Sequence, residues 1–339
     1  MAERIHLAAN NPDLGGGEQM LLRHAEALLA LGHPVTVVAP DAPTEVLDAA
    51  TALGADVVAI RADGRRDHLV RLRAWDRAER TGLLWCHGLV PALATAGRAR
   101  RVVHLHQLPR SRAQRVALRV ATARSERILT PSAFLSSGVR GSTVCANWTD
   151  EVARLPLPTG RTSVGFLGRL STDKGLDLLA QAISGAPADL RLVVAGDDRW
   201  VPEDQRLPVI ESLAALGSSV LRLGRVSPEE LFSQVDLAVF PSRVAESFGL
   251  VVAEAMAAGI PFVVSDAGAL PEVAGPDHPW IAPSGDATDL ARVVERALAA
   301  TPEEVRDVTD RARRRWEDHY SPGAGRLRVQ RLLEELGTT

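Results

Sequence analysis

The chain has 339 residues, of which 46% are hydrophobic and 24% charged, which is enough for two ordinary globular domains. A formal net charge of −3 excludes a strong overall attraction to nucleic acid or to an anionic membrane. Two cysteines, Cys86 and Cys145, exclude a disulfide framework, and we expect both to be reduced and buried.

Strand-like and helix-like segments alternate along the first half of the chain. The apolar run 5–9 predicts a buried strand, and the amphipathic segment 18–31 predicts a helix that ends at Gly32. Near-continuous apolar strands between helices are typical of a parallel sheet that is covered on both faces. Further strands are predicted at 34–39, 57–60, 83–86, 102–105, 128–130 and 143–145.

The alternation restarts after a proline-rich linker at 155–160. Strands are predicted at 163–167, 190–195, 220–223, 237–240, 262–265 and 280–282. Helices are predicted at 175–183, 250–258 and 286–299, with a charged helical tail over 303–336 that breaks near Pro322 and Gly323. The fold class is therefore α/β, with two doubly wound Rossmann-like domains facing across a cleft, and ligands are expected beyond the carboxyl ends of the strands.

No segment has the features of a secretory signal or a membrane span. The first eleven residues contain only a short apolar run, and the apolar stretch 250–268 includes Glu254, Pro261 and Asp266. A buried helix followed by a strand explains this stretch better than a bilayer span, so we expect a cytoplasmic location.

The most informative segment follows the strand at 237–240. It runs PSRVAESFG from Pro241 to Gly249 and leads into the helix 250–258, whose first amides form an anion site. Glu246 in the loop and Glu254 in the helix are good acceptors for the vicinal hydroxyls of a sugar or ribose. For Glu254 taken alone, a solvated residue or an internal ion pair is the simpler interpretation.

Two cations stand five positions apart after the strand at 163–167. Arg169 follows the strand, and Lys174 lies near the start of the next helix. Fixed cations suit a diphosphate, because they stabilise the charge that develops on it as a leaving group. Without other signals, such a pair is more often ordinary surface charge.

Three glycines, Gly15, Gly16 and Gly17, join the first strand to the first helix. Glycines let the backbone approach a phosphate or a sugar closely. Met20 occupies the third glycine position of the dinucleotide fingerprint, and no Gly-Lys-Ser/Thr follows, so neither a nicotinamide site nor a Walker site is indicated.

Histidines close two of the predicted strands of the first domain. His87 follows one strand, and His104 and His106 end the next. Either a structural or a ligand-binding role is open for His106, and His104 is its rival. No His/Cys/Asp cluster has ligand spacing, so no metal site is predicted.

Segment 109–127 is strongly basic and contains a single acid, Glu126. It could bind a phosphorylated acceptor or an anionic membrane surface, although a solvated helix face is the simpler interpretation. The absence of interleaved aromatic residues argues against single-stranded nucleic acid. Its arginines are Arg110, Arg112, Arg115, Arg119, Arg124 and Arg127.

In their order and spacing, these motifs resemble the glycosyl transferase group 1 family, the retaining glycosyltransferases of family 4 with the GT-B fold. Glu246 and Glu254 match the family's E-x7-E element within ESFGLVVAEAMAAGIPFVVSDAGALPEV. Arg169 and Lys174 match its phosphate-binding pair within GFLGRLSTDKGL. GGGEQMLL, LTPSAFLSSGV, NWTD and LVVAGDD also resemble family segments.

The resemblance implies roles for individual residues. Arg169 and Lys174 would hold the donor diphosphate, and Glu254 the ribose hydroxyls. His106 would lie beside the transferred sugar, and the backbone near Val226 would face the base. The residues implied to act in catalysis are His106, Arg169, Lys174 and Glu246. The residues implied to bind the donor are Gly16, Gly17, Arg169, Lys174, Val226, Glu246, Ser247, Phe248, Gly249, Leu250 and Glu254.

The reaction implied is transfer of a hexose-type sugar, with retention, from a UDP- or GDP-sugar to a small-molecule, lipid or glycan acceptor. No metal and no other cofactor is expected. The domains would span 1–155 on the acceptor side and 160–318 on the donor side, with a tail helix at 319–339 crossing back to the first. A GT-B sugar-nucleotide epimerase, or a non-catalytic sugar-nucleotide-binding partner subunit, is the alternative.

Overall fold

The computed structural model describes residues 2–157, 162–187 and 189–338, and these form two compact units. Unit 1 comprises the described residues up to Asn147 together with those from Pro322 onward, and unit 2 comprises Trp148–Ser321. Residues 158–160 of the expected linker, including the expected start of the second domain, lie outside the described residues.

Unit 1 is built on a parallel sheet, with seven strands among the described residues. Their order is β3-β2-β1-β4-β5-β6-β7, so the order of the strands reverses between β1 and β4. In doubly wound sheets such a reversal marks the edge at which ligands bind. The strands are β1 (Ile5–Ala8), β2 (Val35–Pro40), β3 (Asp56–Ile60), β4 (Leu83–His87), β5 (Arg101–His104), β6 (Arg127–Thr130) and β7 (Thr143–Val144).

Helices connect these strands and cover the sheet of unit 1. The helix after β1 starts at the glycine loop, because Gly15 serves as its N-cap in extended conformation. The helices are α1 (Gly16–Ala30), α2 (Glu45–Ala52), α3 (Arg65–Ala78), α4 (Leu89–Ala94), α5 (Arg112–Ala121) and α6 (Ala133–Ser137).

Unit 2 repeats the plan with a parallel sheet of six described strands, ordered β10-β9-β8-β11-β12-β13. These strands are β8 (Ser163–Leu167), β9 (Arg191–Ala195), β10 (Val220–Gly224), β11 (Leu237–Phe240), β12 (Phe262–Ser265) and β13 (Ile281–Ala282). The helices are α7 (Leu176–Ile183), α8 (Glu203–Ala215), α9 (Pro228–Phe232), α10 (Leu250–Ala258), α11 (Leu270–Ala274), α12 (Ala287–Ala299) and α13 (Pro302–His319).

The helical tail is interrupted where proline predicted a break. Helix α13 ends at His319, and the last helix, α14 (Pro322–Glu335), starts at the proline itself. Helix α14 belongs to unit 1 and packs against α1.

Burial follows the expectation for parallel sheets. The central strands are buried on both faces, whereas the edge strands β3 and β10 expose several residues. Trp75, Leu84 and Val103 contribute to the core of unit 1, and Phe166 and Val239 to that of unit 2. The prediction of an α/β protein with two doubly wound sheets is confirmed.

One fully buried arginine organises unit 1 near the start of β5. The guanidinium of Arg101 donates to the carbonyl oxygens of Ala92 at 3.0 Å, Ala121 at 3.1 Å and Ala123 at 2.7 Å. Carbonyls at a helix end have no partner inside the helix, so Arg101 satisfies groups that burial would otherwise leave unpaired. It thereby fixes the start of the strand that ends at His104. The thiols of Cys86 and Cys145 are free and buried, as predicted.

Candidate functional site

In unit 2, the structure brings together two residues that lie 72 positions apart in the sequence. The Nζ of Lys174 donates to the Oε1 of Glu246 at 2.6 Å, and the side chains are 26% and 15% exposed. The hydroxyl of Ser242 donates to the same oxygen at 2.6 Å. An ion pair that is half-buried and further hydrogen-bonded has a fixed geometry, which mobile surface charges lack.

The loop geometry that delivers Lys174 depends on a glycine. Residues Thr172–Lys174 form a single 3-10 turn, and Gly175 then adopts φ 72° before α7 begins. A Cβ at Gly175 would lie 2.0 Å from the carbonyl oxygen of Pro241, and Pro241 is the first residue of the loop that carries Glu246. Only glycine therefore permits the close approach of the two loops at this point.

Two further contacts hold the loop that carries Glu246. The guanidinium of Arg243 pairs with Asp177 on α7 at 2.8 Å, and its backbone amide donates to the carbonyl oxygen of Asp173 at 2.9 Å. On the other side, Glu246 forms an isolated parallel bridge with Gly268. No pattern in the sequence indicated the roles of Arg243 and Asp177, because the two residues lie 66 positions apart.

The carboxyl of Glu246 is held ionised. Burial by itself would raise its pKa, but the adjacent Lys174 ammonium and the Ser242 hydroxyl outweigh burial and lower the pKa below its usual value. The positive charge of Arg169 acts in the same direction. Arg169 is exposed just beyond β8, so it contributes charge near the pair while its own side chain faces solvent.

The chain uses lysine only once. All other basic side chains in the sequence, histidines aside, are arginines, and Lys174 is the single lysine. A lysine ammonium is a compact point charge on a flexible stem, whereas arginine presents a wide planar fork. The position between Glu246 and the start of α7 therefore carries the one side-chain ammonium that this sequence contains.

The start of α10 has the geometry predicted for an anion site. Gly249 adopts φ 98° and precedes the first helical residue, Leu250, so the amides that begin the helix lie at the end of the Glu246 loop. Phe248 is buried and packs edge-to-face on Tyr320 with ring centroids 5.3 Å apart, which fixes the loop between Ser247 and Gly249.

The two remaining donor candidates of unit 2 lie on separate elements. Glu254 is half-buried in the second turn of α10, where its neighbours Ala253 and Ala255 are fully buried. Val226 is half-buried in the loop between β10 and α9.

In unit 1, the structure places His106 beside the glycine loop. A Cβ added at Gly17 would lie 3.3 Å from the Cδ2 of His106, which is half-buried just beyond β5. Gly16 and Gly17 form the first turn of α1. Two of the predicted features, the glycine loop and a histidine, therefore meet at the carboxyl end of this sheet.

His106 is the outermost member of a stack of histidines. Its Nε2 lies 3.1 Å from the Nδ1 of His87, and the two rings stack with centroids 5.2 Å apart. Burial lowers the pKa of His106 to about 4, so the imidazole is neutral at pH 7. The rival candidate, His104, is fully buried, which favours His106 as the histidine that a ligand could reach.

Three histidines that are far apart in the sequence meet inside unit 1, and the expectation of no metal site stays a prediction. His24, His87 and His104 are buried, and one ring nitrogen from each lies within 4.8 Å of the others. Local spacing could not reveal this cluster, because its members come from α1, β4 and β5.

The basic segment forms an exposed helix face in unit 1. Ser111 caps α5 through a capping box with Gln114, and Val116 and Val120 are exposed among the arginines. Arg110, Arg112, Arg115 and Arg119, the arginines through which this segment could contact phosphate or an anionic membrane, are all exposed. Among the described helices of both units, none combines the length and apolar character needed to cross a membrane.

Two family descriptions match the chain, one in each unit. The description "Glycosyltransferase Family 4" matches residues 14–142 in unit 1, and "Glycosyl transferases group 1" matches residues 161–300 in unit 2. The chain belongs to the GT-B glycosyltransferase family that these descriptions define.

Individual relatives are named glycosyltransferases. The chain is 30% identical over 129 residues to the lipopolysaccharide 1,2-N-acetylglucosaminetransferase of Salmonella typhimurium, covering 35% of this chain and 34% of that protein. It is 39% identical over 121 residues to the MMP alpha-(1->4)-mannosyltransferase of Mycolicibacterium hassiacum, covering 34% of this chain and 29% of that protein. The chain thus spans about a third of the length of these curated relatives.

Solved structures agree over nearly the full length. Anabaena Alr3699/HepE, crystallised in complex with UDP-glucose, superposes with a TM-score of 0.84 at 20% identity, over 98% of this chain and 100% of that chain. At this identity the likeness concerns the fold, and it confirms the predicted GT-B fold.

Proposed function

We propose that this chain is a retaining glycosyltransferase that transfers a hexose from a UDP- or GDP-sugar to an acceptor hydroxyl. The observation that carries the proposal is the Lys174–Glu246 pair at the carboxyl end of the unit 2 sheet, with Arg169 beside it. A diphosphate needs fixed positive charge, and a sugar needs fixed hydrogen-bond acceptors. This arrangement supplies both within one loop pair.

The chemistry follows from these groups. Lys174 and Arg169 stabilise the negative charge that grows on the diphosphate as its bond to the sugar breaks. Glu246, held ionised, accepts hydrogen bonds from sugar hydroxyls. The acceptor oxygen attacks from the face that the diphosphate leaves, and its proton passes to an oxygen of that leaving group. No second carboxylate acting as a nucleophile is required for this same-face displacement.

A neutral His106 suits a different task from that of the unit 2 cations. With its pKa lowered to about 4, it presents an uncharged imidazole beside Gly17. An uncharged ring can hydrogen-bond a sugar hydroxyl without attracting the diphosphate. We therefore assign His106 to orienting the transferred sugar, with Gly16 and Gly17 leaving room for the donor, and Glu254 to the ribose hydroxyls.

UDP-glucose is the first donor to test, because Alr3699/HepE was crystallised with it. Purified protein is screened against UDP- and GDP-sugars by thermal shift, and release of the nucleotide is followed with and without candidate acceptors. The proposal predicts stabilisation by at least one donor with slow acceptor-free release that an acceptor accelerates. The Lys174→Ala variant is the matched control and should lose both signals.

Other outcomes separate the alternatives. Stabilisation without any release, across a broad acceptor screen, indicates a non-catalytic subunit that binds sugar nucleotides. Conversion of the donor without an acceptor and without sugar transfer indicates an epimerase. The absence of any response to nucleotide sugars contradicts the proposal.

A further inference from the structure

We propose that His24, His87 and His104 of unit 1 bind a divalent transition-metal cation, for which Zn²⁺ is the best fit. This site is separate from the charged loops of unit 2, and it does not depend on the proposed transferase activity. The three imidazoles project from α1, β4 and β5 into one buried point, and the register pairs His87 directly with His104 across the sheet.

The spacing of the rings matches a tetrahedral metal. Zn²⁺–N bonds of about 2.0–2.1 Å at tetrahedral angles place imidazole centroids about 5.2 Å apart. The observed centroid separations are 5.2 Å for His24–His87, 5.3 Å for His24–His104 and 5.5 Å for His87–His104. All three separations agree with that value, so the rings already stand at the spacing that a tetrahedral metal requires.

The hydrogen bonding of the cluster also points to a ligand. His104 is fully buried, and neither of its ring nitrogens has a hydrogen-bond partner among the described residues. The Nε2 of His87 is likewise buried without a partner in the part of the chain that the structure describes. A buried polar atom without a partner costs free energy, and a metal ion bound to these lone pairs removes that cost.

In two of the three histidines, the ring nitrogen that would not bind the metal makes a hydrogen bond, which orients the ring as metal ligands require. The Nδ1 of His24 lies 2.5 Å from the carbonyl oxygen of Met20, so it donates there and leaves the lone pair on Nε2. The Nδ1 of His87 can donate to the Nε2 of His106 at 3.1 Å, which leaves the lone pair of His87 on its own Nε2. Metal-bound histidines characteristically donate their second N–H in this manner.

The chemistry of the three imidazole ligands selects the metal. Three neutral imidazoles suit zinc, copper or nickel and are poor ligands for Mg²⁺ or Ca²⁺, which prefer oxygen. All three rings are buried, and burial favours the uncharged imidazole, whose lone pair a metal needs. Three histidines leave the fourth position of a tetrahedral Zn²⁺ open to water or hydroxide.

The proposed cation would position His106. With the metal on the Nε2 of His87, the proton of His87 lies on Nδ1 and is donated to the Nε2 of His106. The proton of His106 then lies on its own Nδ1. The metal would thereby select one tautomer of the histidine beside Gly17, which makes His87 a positioning residue.

The test is metal loading of the full chain after removal of any affinity tag. Protein is dialysed against Zn²⁺ and then against metal-free buffer, and zinc is measured by mass spectrometry. We expect about one zinc per chain and intense visible bands of tetrahedral geometry after replacement by Co²⁺. His104→Gln should lose both signals. His33→Gln should keep both, because His33 is a buried histidine of the same unit that contacts the Glu3 carbonyl oxygen at 3.2 Å.

The melting temperature of the unaltered chain supplies a second readout. A chelator should lower it, and added Zn²⁺ should restore it in a concentration-dependent manner, because a ligand of the folded state stabilises that state. This measurement decides the matter if the His104→Gln variant does not fold. The proposal is overturned by zinc far below one per chain, by equal zinc in His104→Gln and His33→Gln, or by a melting temperature that chelation leaves unchanged.

Discussion

The candidate residues of the two units differ in their charge and in their exposure to water. Unit 2 uses charge: Lys174 and Glu246 pair at 2.6 Å in partly exposed loops, with Arg169 nearby. Unit 1 uses burial: its histidines are stacked, uncharged and largely removed from water, with the pKa of His106 lowered to about 4. A charged group can stabilise a charged ligand, whereas a neutral imidazole offers only direction and lone pairs. The two sheets, alike in topology, therefore carry candidate residues of different chemistry.

The largest expected effect of this difference is the response to acid. In unit 1, burial lowers the pKa values of His6, His24, His68, His87, His104 and His106, whereas in unit 2 only His278 among the described histidines has a resolved shift. A histidine whose pKa is lower in the folded state binds protons preferentially when unfolded. Stability is thus full above pH 6.5 and falls as the pH drops below that value, with a limiting slope of about 1.4 kcal/mol per pH unit for each histidine that stays unprotonated in the folded state.

Hydrogen exchange mapped by mass spectrometry between pH 7 and pH 5, corrected for intrinsic rates, checks this expectation in metal-free buffer. Protection should fall first across β1, β4 and β5 and persist in β8 and β11. Uniform loss of protection in both sheets would show that the buried histidines do not control the acid response.

The next effect concerns catalysis by the charged pair. Lys174→Ala should lower kcat/KM by about 10²–10³-fold, because it removes a fixed cation from the developing charge on the diphosphate. Glu246→Gln keeps the hydrogen bond from Ser242 and should lower activity less. Initial rates with saturating acceptor measure both, and circular dichroism verifies the fold.

The same pair has a pH signature with a definite sign. The lowered pKa of Glu246 contributes stability that is present above its ordinary value of 4.5 and is lost as pH falls through the folded-state value. The free energy of unfolding of Glu246→Gln should therefore converge with that of the unaltered chain below pH 4.5. A constant difference across this range would mean that the ionised carboxylate does not stabilise the loop.

A smaller effect tests the contact between the glycine loop and His106. Gly17→Ala should lower activity by roughly tenfold, because its Cβ would lie 3.3 Å from the His106 ring and displace it by a few tenths of an ångström. Stability should not fall, since alanine favours a helix by about 1 kcal/mol over glycine. Gly185→Ala is the control, because a Cβ at Gly185 meets nothing within 4 Å. Equal activity in both variants would argue against a role for His106 near the donor.

The smallest effect is expected on the face of α5. Changing Arg112, Arg115 and Arg119 together to glutamine should leave the melting temperature and donor binding nearly unchanged, because all three side chains are exposed. If this face contacts anionic lipid, the variant should bind less to phosphatidylglycerol vesicles at low salt. Equal vesicle binding by both proteins would support a solvated helix face.

Local patterns predicted the elements well and the long-range contacts poorly. The strands 163–167, 237–240 and 262–265 and the helix 250–258 have the predicted bounds, because each is a continuous apolar segment with clear turn residues around it. Edge strand β7 is one residue shorter than predicted, although the amide of Cys145 still donates to the carbonyl oxygen of Thr130 at 2.8 Å.

The residues of the candidate site also fall into those that local patterns predict and those that long-range contacts bring together. Glu246 and Lys174 could be found because each stands in a loop just after a strand, where parallel sheets present ligand-binding groups. The pair of Arg243 with Asp177 and the meeting of His24, His87 and His104 could not be found, because they depend on how separate elements pack. The individual roles assigned to Gly16, Val226, Ser247, Leu250 and Glu254 stay predictions.

The single lysine gives the chain a built-in chemical reporter. Apart from the α-amino group, Lys174 carries the only primary amine in the sequence, so an amine-selective reagent would modify one side chain. Its reactivity is governed by the ion pair with Glu246, and a bound diphosphate would shield it. Occupancy of the proposed donor site could thus be followed by intact-mass spectrometry, without a label introduced by mutation and before any acceptor is known.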